Sequence, residues 1–175
     1  MWSCNSMEQL FRQIRAAILN QQYYLTLYAS LTVPDICASM ESQDGQANGS
    51  KYIAWFDKYI APKYIVGGIN SLNGETCYYY RCSMLHQGRS QHPKMGYSRI
   101  LFVEPGATTN VFHNNIMNDT LNIDVSIFCN DVLDGAEVWL KNASNTVEFK
   151  KNYPLFMQRY PTGLPPYISG VSVIG

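Results

Sequence analysis

Residues 77–88 read CYYYRCSMLHQG: an arginine and, five positions on, a histidine, set among tyrosines, a methionine and a leucine and closed by a glycine. Asn73-Gly74 forms a turn before this stretch and Gly88 stops it, so the pattern predicts a helix over residues 75–87. Five residues on a helix amount to roughly 140° of rotation and 7.5 Å of rise. Arg81 and His86 therefore do not face each other directly, but both reach one groove at the helix end. A guanidinium among apolar neighbours needs a partner, because desolvating an unpaired charge is expensive. That partner is either an anionic ligand or an acid such as Glu75 or Asp57, with His86 then capping its own helix.

Working outward, Leu10, Phe11, Ile14, Ala17, Ile18, Gln21, Leu25 and Tyr28 recur at helical spacing, which predicts one long amphipathic helix over residues 6 to about 31. Pro34 is placed to open a second helix over 35–40, and the polar ESQDGQANGS that follows reads as a loop. Ser50 is the expected N-cap of a helix carrying Tyr52, Ile53, Trp55, Phe56, Tyr59 and Ile60, apolar nearly all round, as a central helix would be, and closed by Pro62. Beyond the motif helix, RILFVE and LNIDV read as two strands joined through an Asn-rich loop. Ser126 is the expected cap of a helix through Leu140, and a shorter helix spans about 147–160. The fold expected is a mainly α, helical bundle in one domain, 1–175, with a two-stranded β-hairpin insertion at about 99–125 and an extended C-terminal tail over 161–175. Leu164, Tyr167, Ile168, Val171, Val173 and Ile174 are too apolar for a solvated linker, so this tail is expected to be ordered and docked on the body or on a second chain.

With 46% hydrophobic residues, 175 positions suffice for one well-filled core. A formal net charge of zero argues against a protein that coats nucleic acid indiscriminately, since such binding neutralises phosphates. The charge is nevertheless uneven. Between Thr76 and Val103 there is no Asp or Glu, while Arg81, Arg89, Lys94 and Arg99 all fall there. No stretch approaches the roughly 18 continuous apolar residues of a membrane span, and no early apolar run reads as a leader, so a cytoplasmic protein with no membrane contact is expected. Five scattered cysteines, Cys4, Cys37, Cys77, Cys82 and Cys129, form no CxxC pair and fit reduced thiols better than a disulfide framework.

A zinc site built on Cys82, His86, His92 and His113 lacks a second tight ligand pair. A Cys82/His86 nucleophile pair lacks a local orienting group and an oxyanion hole. Neither GxGxxG nor a P-loop is present. Arg81 with His86 is the stronger constellation, because a planar fork suits phosphate and a histidine exchanges protons near neutral pH. Doubled, the pair supplies a base for a 2′-hydroxyl, an acid for a leaving 5′-oxygen and a cation for the phosphorane. That chemistry needs no cofactor and no metal.

The residues Arg81-Cys-Ser-Met-Leu-His86 resemble the R-x4-6-H motif of the HEPN superfamily, and YYYRCSMLHQG is similar to the segment Y-x-x-R-x-x-x-x-H-x-G of several of its bacterial branches. DGQANGSKYIAWFDKYIAPKY and SRILFVEPGATTNVFHNN also resemble a bacterial protein family of uncharacterised activity. The HEPN likeness covers about a dozen residues. It implies a helical domain acting as a homodimer that juxtaposes two motifs, as a metal-independent endoribonuclease or as a binding module, with Arg81 and His86 as the site. The chain departs from the pattern at Cys82, where catalytic members usually carry Asn, Asp or His.

Around that site Arg89, Lys94, Arg99 and Tyr97 are the expected contacts to single-stranded RNA, by charge and by stacking. Tyr78, Tyr79 and Tyr80 spread around the helix, so core packing is the better reading for most of them. Asn110, His113, Asn114 and Asn115 read either as an ordinary polar loop or as base-edge contacts. An alternative function is a non-catalytic interaction module whose helical surface binds a protein or nucleotide partner.

Overall fold

The computed structural model describes residues 5–106 and 109–175. Cys4 and residues 107–108 of the Asn-rich loop lie outside them. The periodic stretch expected as one helix is two, α1 (Asn5–Leu19) and α2 (Tyr23–Met40). The break is at Gln21, whose φ of 56° is left-handed. Its N–H donates to the Ile18 carbonyl at 2.9 Å, and that of Gln22 donates to Ala17 at 3.0 Å. This is a Schellman stop made without glycine, so nothing in the residue type announces it. α2 then runs straight through Pro34, which was expected to open a new helix. Pro34 deprives the Ser30 carbonyl of a partner, but Leu31, Val33, Cys37 and Ala38 are all buried around it. Packing outweighs the lost bond.

α2 is the central helix, in contact with α1, with α3 (Gly49–Tyr59), with α4 (Gly74–Gln87), with α5 (Val125–Ala143) and with α6 (Val147–Asn152). The expectation that the helix of residues 52–60 would be central is corrected: α3 buries Tyr52, Trp55 and Phe56 and leaves Ala54, Asp57 and Lys58 exposed. Two expected caps also shift. Asn48, not Ser50, accepts from the Lys51 N–H at 3.0 Å, and Asp124, not Ser126, accepts from the Ile127 N–H at 2.9 Å. In both cases the residue two places earlier has the longer reach of an Asx side chain.

A small hairpin, β1 (Ile65–Val66) with β2 (Ile69–Asn70), turns at Gly67-Gly68. The predicted two-stranded hairpin over 99–125 is instead a three-stranded mixed sheet. β3 (Arg99–Val103) runs parallel to β5 (Thr120–Asp124), and β4 (Asn115–Met117) pairs antiparallel with β5 from the other side. The tight turn is Asn118-Asp119, with φ of 48° and 56°, the geometry of a type I′ turn. It gives β5 its adjacent antiparallel partner, and β3 can then reach only the other edge, where the long connection allows a parallel approach.

The last predicted helix is shorter than expected: α6 stops at Asn152, followed by a single 3-10 turn over Tyr153–Leu155 that contains Pro154. The tail is ordered as two nested hairpins, β6 (Arg159–Tyr160) with β9 (Val173–Ile174) around β7 (Gly163–Leu164) with β8 (Ile168–Ser169). Gln158 and Gly175 close it with reciprocal backbone bonds of 2.7 and 3.0 Å. The tail touches the body lightly: Tyr167 is 84% and Ile174 68% exposed, while Leu164 and Val173 are half-buried and Arg159 and Ile174 line a shallow cleft with Gln9 and Leu10 of α1. Among the described residues no helix is long and apolar enough to cross a membrane.

Candidate functional site

The helix α4 is held at both ends. The Asn73 side chain accepts from the Thr76 N–H at 2.8 Å, and Asp57 accepts from the Gly74 N–H at 2.6 Å. Gly88, left-handed at φ 64°, donates to Met84 while Arg89 donates to Ser83. Cys77, Tyr80, Ser83 and Met84 face the core. Arg81 sits at the border of that face, Cys82 is half-buried, and His86 is exposed in the last turn.

Asp35 of α2 is the partner that the Arg81 guanidinium demands: Nη2 lies 2.8 Å from its Oδ2, with the two side chains 20% and 18% exposed. Glu75 and Asp57 are not the partners; Asp57 is spent on the N-terminus of α4. Arg81 Nη1 reaches across the helix to His86 Nε2 at 3.4 Å and to Cys82 Sγ at 4.0 Å. A guanidinium only donates, so in this contact Nε2 is the acceptor and the neutral ring carries its proton on Nδ1. His86 accordingly touches the arginine, and Gly88 rather than the imidazole caps the helix. The buried Nε of Arg81 has no hydrogen-bond partner among the described residues.

Burial pushes the Asp35 carboxyl above its ordinary value, against the attraction of Arg81 and, less, of His86. Burial pulls Arg81 down, but the attraction of Asp35 and the contact with Cys82 outweigh it and leave the guanidinium raised. The pair is thus a cation firmly charged and an anion that pays for its surroundings. Tyr78, over the same face, is raised first by its hydrogen bond with Cys82.

The other expected site residues divide into two groups. Arg89, Lys94 and Arg99 are exposed. The Lys94 ammonium lies 5.6 Å from the Tyr79 ring centroid, and Tyr79 stacks on His92 at 4.7 Å and 9°. Tyr79 and His86 are seven residues apart on α4, about two turns and ~10 Å of rise, so Lys94 and His86 share one side of the helix. Tyr97, by contrast, has its hydroxyl occupied by the Ser71 carbonyl at 2.8 Å and its ring against the core. The loop residues fold back: Asn114 hydrogen-bonds Ser71, and the His113 ring lies 5.4 Å from that of Tyr64. His113 is half-buried there, which lowers its pKa. Cys82, His86, His92 and His113 do not converge, and among the described residues no group of three or more metal-type side chains does.

Sequence reasoning missed Asp35. Its only local mark is a position directly after Pro34, and its role depends on a contact between α2 and α4 that no spacing encodes. Compared with protein-family models, with curated proteins and with solved structures, the chain finds no significant match.

Proposed function

We propose that this chain is a HEPN-like RNA-binding protein that cleaves single-stranded RNA without a metal, as a homodimer sharing two Arg81–His86 sites. The observation that carries the reading is the arrangement at Arg81: one nitrogen anchored 2.8 Å from Asp35 and another 3.4 Å from His86. An anchored guanidinium beside an accessible imidazole suits a reacting phosphate. In this reaction a ribose 2′-hydroxyl displaces the Arg81 N–H from His86 Nε2, which takes its proton as that oxygen attacks phosphorus. The bond from phosphorus to the 5′-oxygen breaks, and the partner subunit's His86, which enters the cycle as the imidazolium, gives its proton to the leaving oxygen. A 2′,3′-cyclic phosphate and a 5′-hydroxyl result. Arg81 balances the charge of the phosphorane, while Arg89, Lys94 and Arg99 hold flanking phosphates.

One observation favours the second reading, a non-catalytic module for a protein or nucleotide partner: Asp35 already neutralises Arg81. The test is incubation with mixed single-stranded RNA in EDTA. Cyclic-phosphate ends that vanish in His86→Ala, and fall by on the order of 10²-fold in Arg81→Ala, support the nuclease. Intact RNA at every protein concentration leaves only the module.

A further inference from the structure

On the opposite side of α4 from His86, a groove of about 240 Å³ lies between α2, α4 and β3. We infer that this groove binds an organic cation of the alkylated-ammonium class. Five aromatic residues line it, Tyr23, Tyr24 and Tyr28 from the start of α2, Tyr80 from α4 and Phe102 from β3, beside aliphatic side chains such as Leu27 and Met84, with Glu104 as the one charged lining residue. Among the described residues Glu104 has no ion-pair partner.

Two helix ends also meet the groove. Tyr23 opens α2 and presents its positive end; Gly88 closes α4 and presents its negative end. Each is worth roughly half a unit charge, so the two offset and the Glu104 carboxylate decides the sign. A cation is therefore preferred. The kind of cation follows from the weight of aromatic rings in the lining, five against one carboxylate and the neutral hydroxyls of Ser90 and the tyrosines. A primary ammonium needs three hydrogen bonds, whereas an alkylated ammonium spreads its charge over methyl groups that ring faces attract without them. Aromatic walls with one carboxylate match the second. The inference is independent of the Arg81–His86 chemistry.

The experiment titrates the full chain with choline and with its neutral carbon isostere 3,3-dimethyl-1-butanol, followed by calorimetry and by tyrosine resonances. Choline is expected to bind at least about tenfold more tightly than the isostere. Glu104→Gln and Tyr24→Ala, both at exposed positions that leave the core intact, should each weaken choline several-fold, and Glu104→Gln should remove most of the discrimination. A peptide carrying one trimethyllysine forms the second arm: tighter binding than choline identifies a protein side chain as the source, and weaker binding a free metabolite. Equal binding of the isostere, unchanged choline binding in both variants, or no binding of either cation overturns the inference.

Discussion

Asp35 is the residue on which the site depends, and its energetics run in two directions. A partly buried ion pair gains little over its desolvation, yet removing one member strands the other charge. Asp35→Ala should therefore destabilise the fold by about 1–3 kcal/mol, and Asp35→Ala with Arg81→Met should cost less than the sum of the two single changes. Urea unfolding of the four chains checks this; strict additivity would mean the 2.8 Å contact carries no coupling. The pH dependence has a defined sign. Because the folded carboxyl is raised, the folded state keeps its proton longer, so this group's contribution is complete below the ordinary aspartate value and is lost as pH rises through the folded one. Asp35→Asn should remove that part of the slope.

Among the elements, α4 lies so close to α3 that a side chain has no room at its first residue. A Cβ on Gly74 would meet the Ile53 carbonyl oxygen at 2.5 Å and its Cα at 2.9 Å, both backbone atoms that cannot turn aside. Gly74→Ala should cost about 1–3 kcal/mol through forced separation of the two helices, read as a lower midpoint in chemical denaturation; a neutral result would show that α4 has freedom to shift. Local signals made α4 the most legible element, since the turn at Asn73-Gly74 and the stop at Gly88 bound it on both sides. They failed where a general residue did a special one's work. Gln21 ends α1 in a conformation usually left to glycine, and Pro34 sits inside a helix because buried neighbours override it. The strand pairing was illegible for a different reason: both strands were recognisable at 99–104 and 121–125, but their relative direction depended on the Asn118-Asp119 turn inside what read as one loop. Arg81 and His86 were readable from spacing; Asp35 was not, because the α2–α4 contact is tertiary.

At the scale of the molecule, the core is shared by α2 and α5, and the tail is an appendage to it. Only Gly163 is fully buried beyond residue 158, while Leu164, Tyr160 and Val173 are half-buried. A chain ending at Gln158 should keep its helical circular dichroism and lose less than about 4 °C of thermal midpoint. Loss of cooperative unfolding would instead make the nested hairpins part of the core. The pairing of α2 with α5 also has a consequence in time. A ribosome releases α2 long before α5, and the chain from Met40 to Ala143 takes roughly 5–20 s to synthesise at about 5–20 residues per second. Throughout that interval α1, and then α3 and α4, can already flank α2, but the face of α2 that α5 covers stays open and is buried only when the final third of the chain emerges.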